Sequence, residues 1–167
     1  MTKHWRISSI SGVLLAAYFI PTWTMNALRI MVSPVHGLYE RPNISLALFI
    51  SDHLQLNALS TMRAAWLLAL GRLTVVAFFA LFVALLTRTR MRENGGSDEA
   101  LGIALGIGSL ISFAGMVLAA QAGEPAALKL HATELLLLLG TAIVLAVERP
   151  APRPGALLRQ PELLHNA

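Results

Sequence analysis

The amino-acid sequence predicts an all-α integral membrane protein, built as a four-helix transmembrane bundle. Of its 167 residues, 56% are hydrophobic and only 13% are charged, whereas soluble domains carry about 25% charged residues. Four segments are long and apolar enough to cross a bilayer, which takes about 20 residues. The chain contains no cysteine, which excludes disulfide scaffolds, thiolate metal centres and thiol catalysis.

The four predicted spans divide the chain into a transmembrane domain over residues 1–147 and a proline-rich cytoplasmic tail over residues 148–167. In chain order, the predicted spans cover residues 7–31, 63–87, 100–121 and 125–147. The first span follows basic residues but precedes no small-residue cleavage pattern, so we interpret it as a retained signal anchor. The last two spans form a tight hairpin, because Gly123 suits a helix end and Pro125 suits a helix start.

The segment between the first two spans, residues 44–62, is too polar and too short to cross the bilayer. Its apolar residues recur at near-helical spacing, with Asp52 and His53 between them, and this spacing predicts an amphipathic helix. The pattern leaves open whether that helix lies at the membrane interface or re-enters the bundle.

The distribution of Lys and Arg predicts that both termini are cytoplasmic. Cytoplasmic segments carry an excess of positive charge. If the four spans cross the membrane in alternating directions, eight of the 13 basic residues lie on the same side of the membrane as the N-terminus: Lys3, Arg6, Arg88, Arg90, Arg92, Arg149, Arg153 and Arg159. In a bacterium this places the chain in the inner membrane. We interpret the RTRMR run as a topology signal and expect no nucleic-acid partner. Trp23, Tyr39 and Trp66 fall near the outer boundary, where we expect an aromatic belt.

The polar residues within the spans concentrate in the outer half of the predicted bundle. Arg72 and Glu134 each lie about nine residues from the outer end of a span, which is roughly 13 Å at about 1.5 Å per residue. Charges are costly in lipid, so equal depth and opposite sign predict an ion pair. His131 shares a helix face with Glu134, and His53 and Asn26 fall on the same side. These five residues form the candidate binding or ion-pair site.

Two interpretations of this candidate site remain open. One is structural, a buried salt bridge with hydrogen bonds that determines which helices meet. The other is an outward-facing site in which Arg72 and a histidine hold a small anion or acidic headgroup, or in which a His–Glu pair relays protons. A continuous transport path requires polar residues in the inner half too, where the sequence offers only Thr74, Ser109, Ser112 and Thr141.

The sequence predicts neither an enzyme nor a cofactor. It contains no GxSxG, Walker, HExxH or dinucleotide-binding motif, so we assign no catalytic residue. Haem in a bundle needs axial histidines on facing helices, and only His131 lies clearly inside a span. The histidine and carboxylate spacings match no metal signature, so we assign no metal ligand.

These patterns together predict a small non-enzymatic accessory or modulatory subunit of a larger membrane complex. Gly102 and Gly106 form a small-xxx-small pattern that predicts close helix packing, within this bundle rather than in a dimer. The expected partners are the lipid bilayer and other membrane subunits or a second copy of the chain. The alternatives are an oligomeric small-solute or ion transporter with its site around Arg72 and Glu134, and a haem-binding electron-transfer subunit that uses His131.

Overall fold

The computed structural model describes residues 6–88 and 96–148, and within these two ranges every regular element is a helix. The helices are α1 (Ile7–Val32), α2 (Pro34–Leu38), α3 (Ile44–Phe49), α4 (Ala58–Leu86), α5 (Gly96–Gln121) and α6 (Pro125–Glu148). The proline-rich tail from residue 149 and most of the RTRMR run lie outside the described residues. The protein is therefore an all-α membrane protein, as predicted.

Four helices, α1, α4, α5 and α6, are long and apolar enough to span a membrane, which confirms the predicted spans. The ends of α1 and α6 agree with the prediction to within one residue, whereas α4 and α5 begin earlier than predicted. Asn57 caps α4, because its side chain accepts the Ser60 N–H at 2.8 Å. The first turn of α5 contains Asp98 and Glu99, whose negative charges favour a helix N-terminus. Polar residues before an apolar span therefore extend its helix.

The four spanning helices form a closed ring in which each packs on two neighbours, in the order α1, α4, α5 and α6. The starts of α1 and α5 meet the end of α6. Arg6 donates to the Asp98 carboxylate at 2.5 Å and to the Glu148 carbonyl at 2.9 Å. The Glu148 carboxylate accepts the N–H groups of Ile7 and Ser8 at 2.9 and 3.1 Å, and so caps α1 from another helix. Neighbouring helices therefore run in opposite directions, and we call this end the Arg6 end.

The opposite end of the bundle, which we call the hairpin end, holds the turn between α5 and α6. Gly123 adopts a φ of +68°, a left-handed conformation that glycine takes at little cost. Pro125 is the first residue of α6, where its missing N–H is no loss. Both residues have the roles that the sequence predicts for them.

Aromatic and aliphatic side chains fill the bundle between its middle and the Arg6 end. Phe19 and Phe79 stack with their ring centroids 5.6 Å apart, and both are fully buried together with Phe82. Gly12 brings α1 close to this core, since a Cβ there would lie 2.7 Å from the Phe82 Cζ atom. This half of the bundle is the apolar half that the sequence predicts.

The segment between the first two spans is shorter as a helix than predicted. α3 is followed by one π-helical turn, Ile50–Leu54, and Gln55 then interrupts the helix with a φ of 44°. Residues 58–62 belong to α4 instead. The side chains of Asn43, Ser45, Ala47 and Ile50 are buried, whereas residues 51–59 are exposed. α3 packs on α5, so the first part of the segment folds back onto the bundle.

Gly106, the second residue of the small-xxx-small pair, does not pack α5 inside the bundle. Gly106 is exposed, and a Cβ at that position would meet nothing within 4 Å. The close contacts of α5 occur at Gly108, 3.3 Å from the Leu138 Cδ1 atom, and at Gly115, 2.8 Å from the His131 Cδ2 atom, both measured from an added Cβ. Gly108 and Gly115 lie seven residues apart and so face α6 together, whereas Gly106 points away.

We expect Gly12→Ala to lower the thermal stability of the protein and Gly140→Ala not to. The added methyl at Gly12 collides with Phe82, and overpacking a close-packed core costs about 1–3 kcal/mol. Gly140 is exposed and has open space around it, so alanine there only raises helix propensity, by about 0.5–1 kcal/mol. Unfolding of both variants in detergent, followed by circular dichroism, measures the difference. Equal melting temperatures would contradict the close contact of α1.

Candidate functional site

Glu134 is the centre of a buried hydrogen-bonded cluster that joins three spanning helices. From α1, the Trp23 Nε1–H donates to Oε1 of Glu134 at 3.1 Å. From α5, the Ser112 hydroxyl donates to Oε2 at 3.4 Å, and on α6 the His131 Nδ1 atom lies 3.2 Å from the same oxygen. All four side chains are buried, and we call them the Glu134 cluster.

His131 has a polar neighbour at each ring nitrogen. Its Nε2 atom lies 3.1 Å from the Pro42 carbonyl oxygen, and its Nδ1 atom lies 3.2 Å from Oε2 of Glu134. The ring therefore links Glu134 on α6 to the segment that leads into α3.

Arg72 reaches this cluster through Trp23 and not through a direct ion pair. Its guanidinium carbon lies 5.7 Å from the centroid of the Trp23 ring, within range of a cation–π interaction. In the described part of the chain, the salt bridges include none between Arg72 and Glu134. Trp23 lies between the two charged groups, since its ring meets the Arg72 guanidinium and its Nε1–H donates to Glu134.

A cavity of about 190 Å³ lies beside Arg72 and His131. Its remaining walls come from α4, α5 and the segment that leads into α3. Arg72 is only 3% exposed, and its Nε and Nη1 atoms are buried without a hydrogen-bond partner in the described structure. Asn43 also lines the cavity; its Nδ2 donates to the Gly37 carbonyl at 2.7 Å, while its Oδ1 is buried and unpaired. The cavity is thus lined by two residues, Arg72 and Asn43, whose side chains carry buried polar atoms without partners.

The structure brings together three of the five residues predicted for the site. Arg72, His131 and Glu134 all contact either the cluster or the cavity. His53 is instead exposed and stacks on Phe49, with ring centroids 5.0 Å apart. Asn26 is half-buried on α1 and is not among the residues that line the cavity. His53 lies in the π-helical turn after α3, in the exposed part of the segment, and so stays outside the bundle.

Trp23 is the main residue of the site that sequence reasoning assigned wrongly. It was expected in the aromatic belt but is 2% exposed, whereas Tyr39 and Trp66 are 55% and 52% exposed. Its position four residues after Phe19 and four before Ala27 places the three on one buried face of α1. That spacing was the available signal. No sequence signal could have identified the Pro42 carbonyl as a partner of His131, because every residue carries a backbone carbonyl.

The described residues contain no group of three or more His, Asp or Glu side chains that could hold a metal ion. The chain matches no protein-family model, and comparisons with curated proteins and with solved structures found no match either. The features that bear on its function are the Glu134 cluster, the cavity beside Arg72 and the surface of the bundle.

Exchanging the two charges, Arg72→Glu with Glu134→Arg, should not restore the stability that either single substitution removes. Arginine at position 134 cannot accept from Trp23 or Ser112, and each stranded buried donor costs about 1–3 kcal/mol. Glu134→Gln is the matched control, because it keeps one oxygen for Trp23. Melting temperature and the monodisperse fraction in detergent measure the effect. Recovery of the exchanged variant to the parent level would support a direct ion pair and contradict this geometry.

Proposed function

We propose that the protein is a small non-enzymatic accessory or modulatory subunit that assembles within the bilayer with another membrane protein. The observation that carries this proposal is a groove of about 610 Å³ on the outside of the bundle, between α5 and α6 towards the Arg6 end. Its small lining residues are Gly102, Gly106, Ser109, Ala142 and Ala146. We call it the α5–α6 groove.

The occupant that best fits the α5–α6 groove is a transmembrane helix of the partner. Small residues on both walls allow two helix backbones to approach closely. From Glu99 to Ser109 the α5 wall extends about 15 Å, nearly three helical turns. Ser109 lines the groove, and a serine at a helix interface can hydrogen-bond a neighbouring helix, which a lipid tail cannot do.

We expect Gly106→Leu to remove the partner from the purified protein and Gly140→Leu to leave it bound. Both glycines are exposed and have open space around them, so neither substitution disturbs the chain's own packing. Only leucine at position 106 fills the α5–α6 groove. The measurement is co-purification after mild solubilisation, with quantitative mass spectrometry of the bound proteins.

Co-expression of two differently tagged copies identifies the partner class in the same experiment. A second copy that is captured with the first, and lost in Gly106→Leu, would make the assembly a homo-oligomer. Equal recovery of all bound proteins with Gly106→Leu and Gly140→Leu would overturn the assembly proposal, and so would the absence of any stable partner.

A transporter with its site around Arg72 and Glu134 is the second candidate function. What supports it is the cavity beside Arg72, together with the buried polar groups that border it. A transport path would also have to pass the packed rings of Phe19, Phe79 and Phe82. We therefore propose the transport function second to assembly.

Haem binding through His131 is the weakest of the three functions. Both ring nitrogens of His131 already have partners, the Glu134 carboxyl group and the Pro42 carbonyl. Ligation of iron would break one of these buried contacts. We therefore propose an assembly without a haem on His131.

We further propose that the Arg6 end of the bundle faces the cytoplasm, so that both termini do. The support is the excess of Lys and Arg on that side of the alternating spans. In a bacterial cell this orientation corresponds to the inner membrane.

Single cysteines test this orientation, because the chain has none of its own. Gln121 lies at the hairpin end and Thr87 at the Arg6 end, and both are exposed. A membrane-impermeant maleimide should label Gln121→Cys in intact cells and Thr87→Cys only after permeabilisation. The reverse labelling would overturn the orientation.

A further inference from the structure

We propose that the cavity beside Arg72 binds a small oxyanion group, a carboxylate or a phosphate, with the Arg72 guanidinium as its counter-ion. This site is separate from the α5–α6 groove and does not depend on the assembly proposed above. The ligand could be a free anion or the headgroup of an anionic lipid, because both present the same chemistry to Arg72.

The Arg72 charge has no direct counter-ion among the described residues. No salt bridge of the described structure involves Arg72, and its guanidinium meets the face of the Trp23 ring instead. An unpaired charge inside a membrane protein is costly. An anion in the adjoining cavity would pair with it.

The buried donors of Arg72 lack hydrogen-bond partners. Its Nε and Nη1 atoms are buried and unpaired in the described structure, although Arg72 itself is 97% removed from solvent. Buried polar groups in proteins are almost always paired. The planar guanidinium matches the oxygens of carboxylates and phosphates, so an oxyanion would satisfy both the charge and the geometry.

The size and lining of the cavity suit a small organic anion. At about 190 Å³ it is several times larger than the roughly 30 Å³ that one water takes up in the liquid. Its apolar walls include Leu46, Leu68, Ile111 and Leu118, which would contact the hydrocarbon part of a ligand. The unpaired Oδ1 of Asn43 could accept from a hydroxyl group of the same ligand. These walls favour a carboxylate or phosphate with a short organic portion over a bare halide.

The test measures thermal unfolding of the full chain in dodecyl maltoside, with potassium phosphate, potassium acetate, or potassium chloride at equal ionic strength. We expect phosphate or acetate to raise the melting temperature saturably above the chloride value. The rise should reach about 5–10 °C when the probe is about 100-fold above its Kd. A second arm compares nanodiscs of phosphatidylcholine with nanodiscs that also contain phosphatidylglycerol. A rise with the soluble anions identifies a free anion, and a rise only with phosphatidylglycerol identifies a headgroup.

The matched variants are Arg72→Met and Arg63→Met, which each remove one positive charge from α4. Arg63 is exposed, so its variant should keep the full rise, whereas Arg72→Met should lose it. A purely structural role for Arg72 would change the basal melting temperature but not its dependence on anions. The proposal is overturned when no probe produces a saturable rise, when Arg72→Met retains it, or when Arg63→Met loses it as well.

A second pair of variants decides the matter if Arg72→Met does not fold. Ala114 lines the cavity from α5, and Ala120 is exposed on the same helix without lining it. Ala114→Leu should fill the cavity and abolish the anion-dependent rise, while Ala120→Leu retains it. A rise that survives unchanged in Ala114→Leu would show that the anion binds elsewhere.

Discussion

The carboxyl group of Glu134 determines how this bundle closes, because the bilayer offers no alternative hydrogen-bond partner to a buried polar group. Its two oxygens receive contacts from Trp23, Ser112 and His131, which lie on α1, α5 and α6. The apolar faces of these helices do not select one rotation over another, since lipid is as apolar as leucine. The hydrogen bonds to Glu134 select one rotation of each helix, since rotating any of the three away would leave a buried polar group unpaired.

The same interaction explains two features that lie away from Glu134. The His131 Nε2 atom lies 3.1 Å from the Pro42 carbonyl oxygen, and this contact fixes the segment that leads into α3. α3 thereby lies on α5 and closes one side of the cavity. The second feature is the isolation of Arg72. With the oxygens of Glu134 already occupied, the guanidinium meets the face of Trp23 and retains donors that no protein group satisfies.

The four spans could be predicted because the bilayer imposes a length and an apolar composition on each one separately. Contacts between spans are harder to predict, as Arg72 and Glu134 illustrate. Their opposite charges suggested a direct pair, yet the Trp23 side chain lies between them and contacts both, which a pattern of charges cannot reveal. Gly106 illustrates a related limit. A small-xxx-small spacing shows that backbones can approach, but the rotation of α5 decides whether the partner is α6 or another molecule.

α5 and α6 both line the cavity beside Arg72 and the α5–α6 groove, but at different levels and on different faces. On α5, Ser112 points into the bundle towards Glu134, while Ser109, one turn earlier, lies in the groove. The His131 ring packs directly against the backbone of Gly115, since a Cβ added there would lie only 2.8 Å from the ring. This close contact leaves little room for α5 to slide along α6. A helix docked in the groove, as proposed, would therefore meet α5 and α6 at a close-packed contact, with the rings of Phe19, Phe79 and Phe82 packed in the core of the bundle. The two proposed occupants would bind independently, because the groove and the cavity lie at different levels and on different faces of these helices.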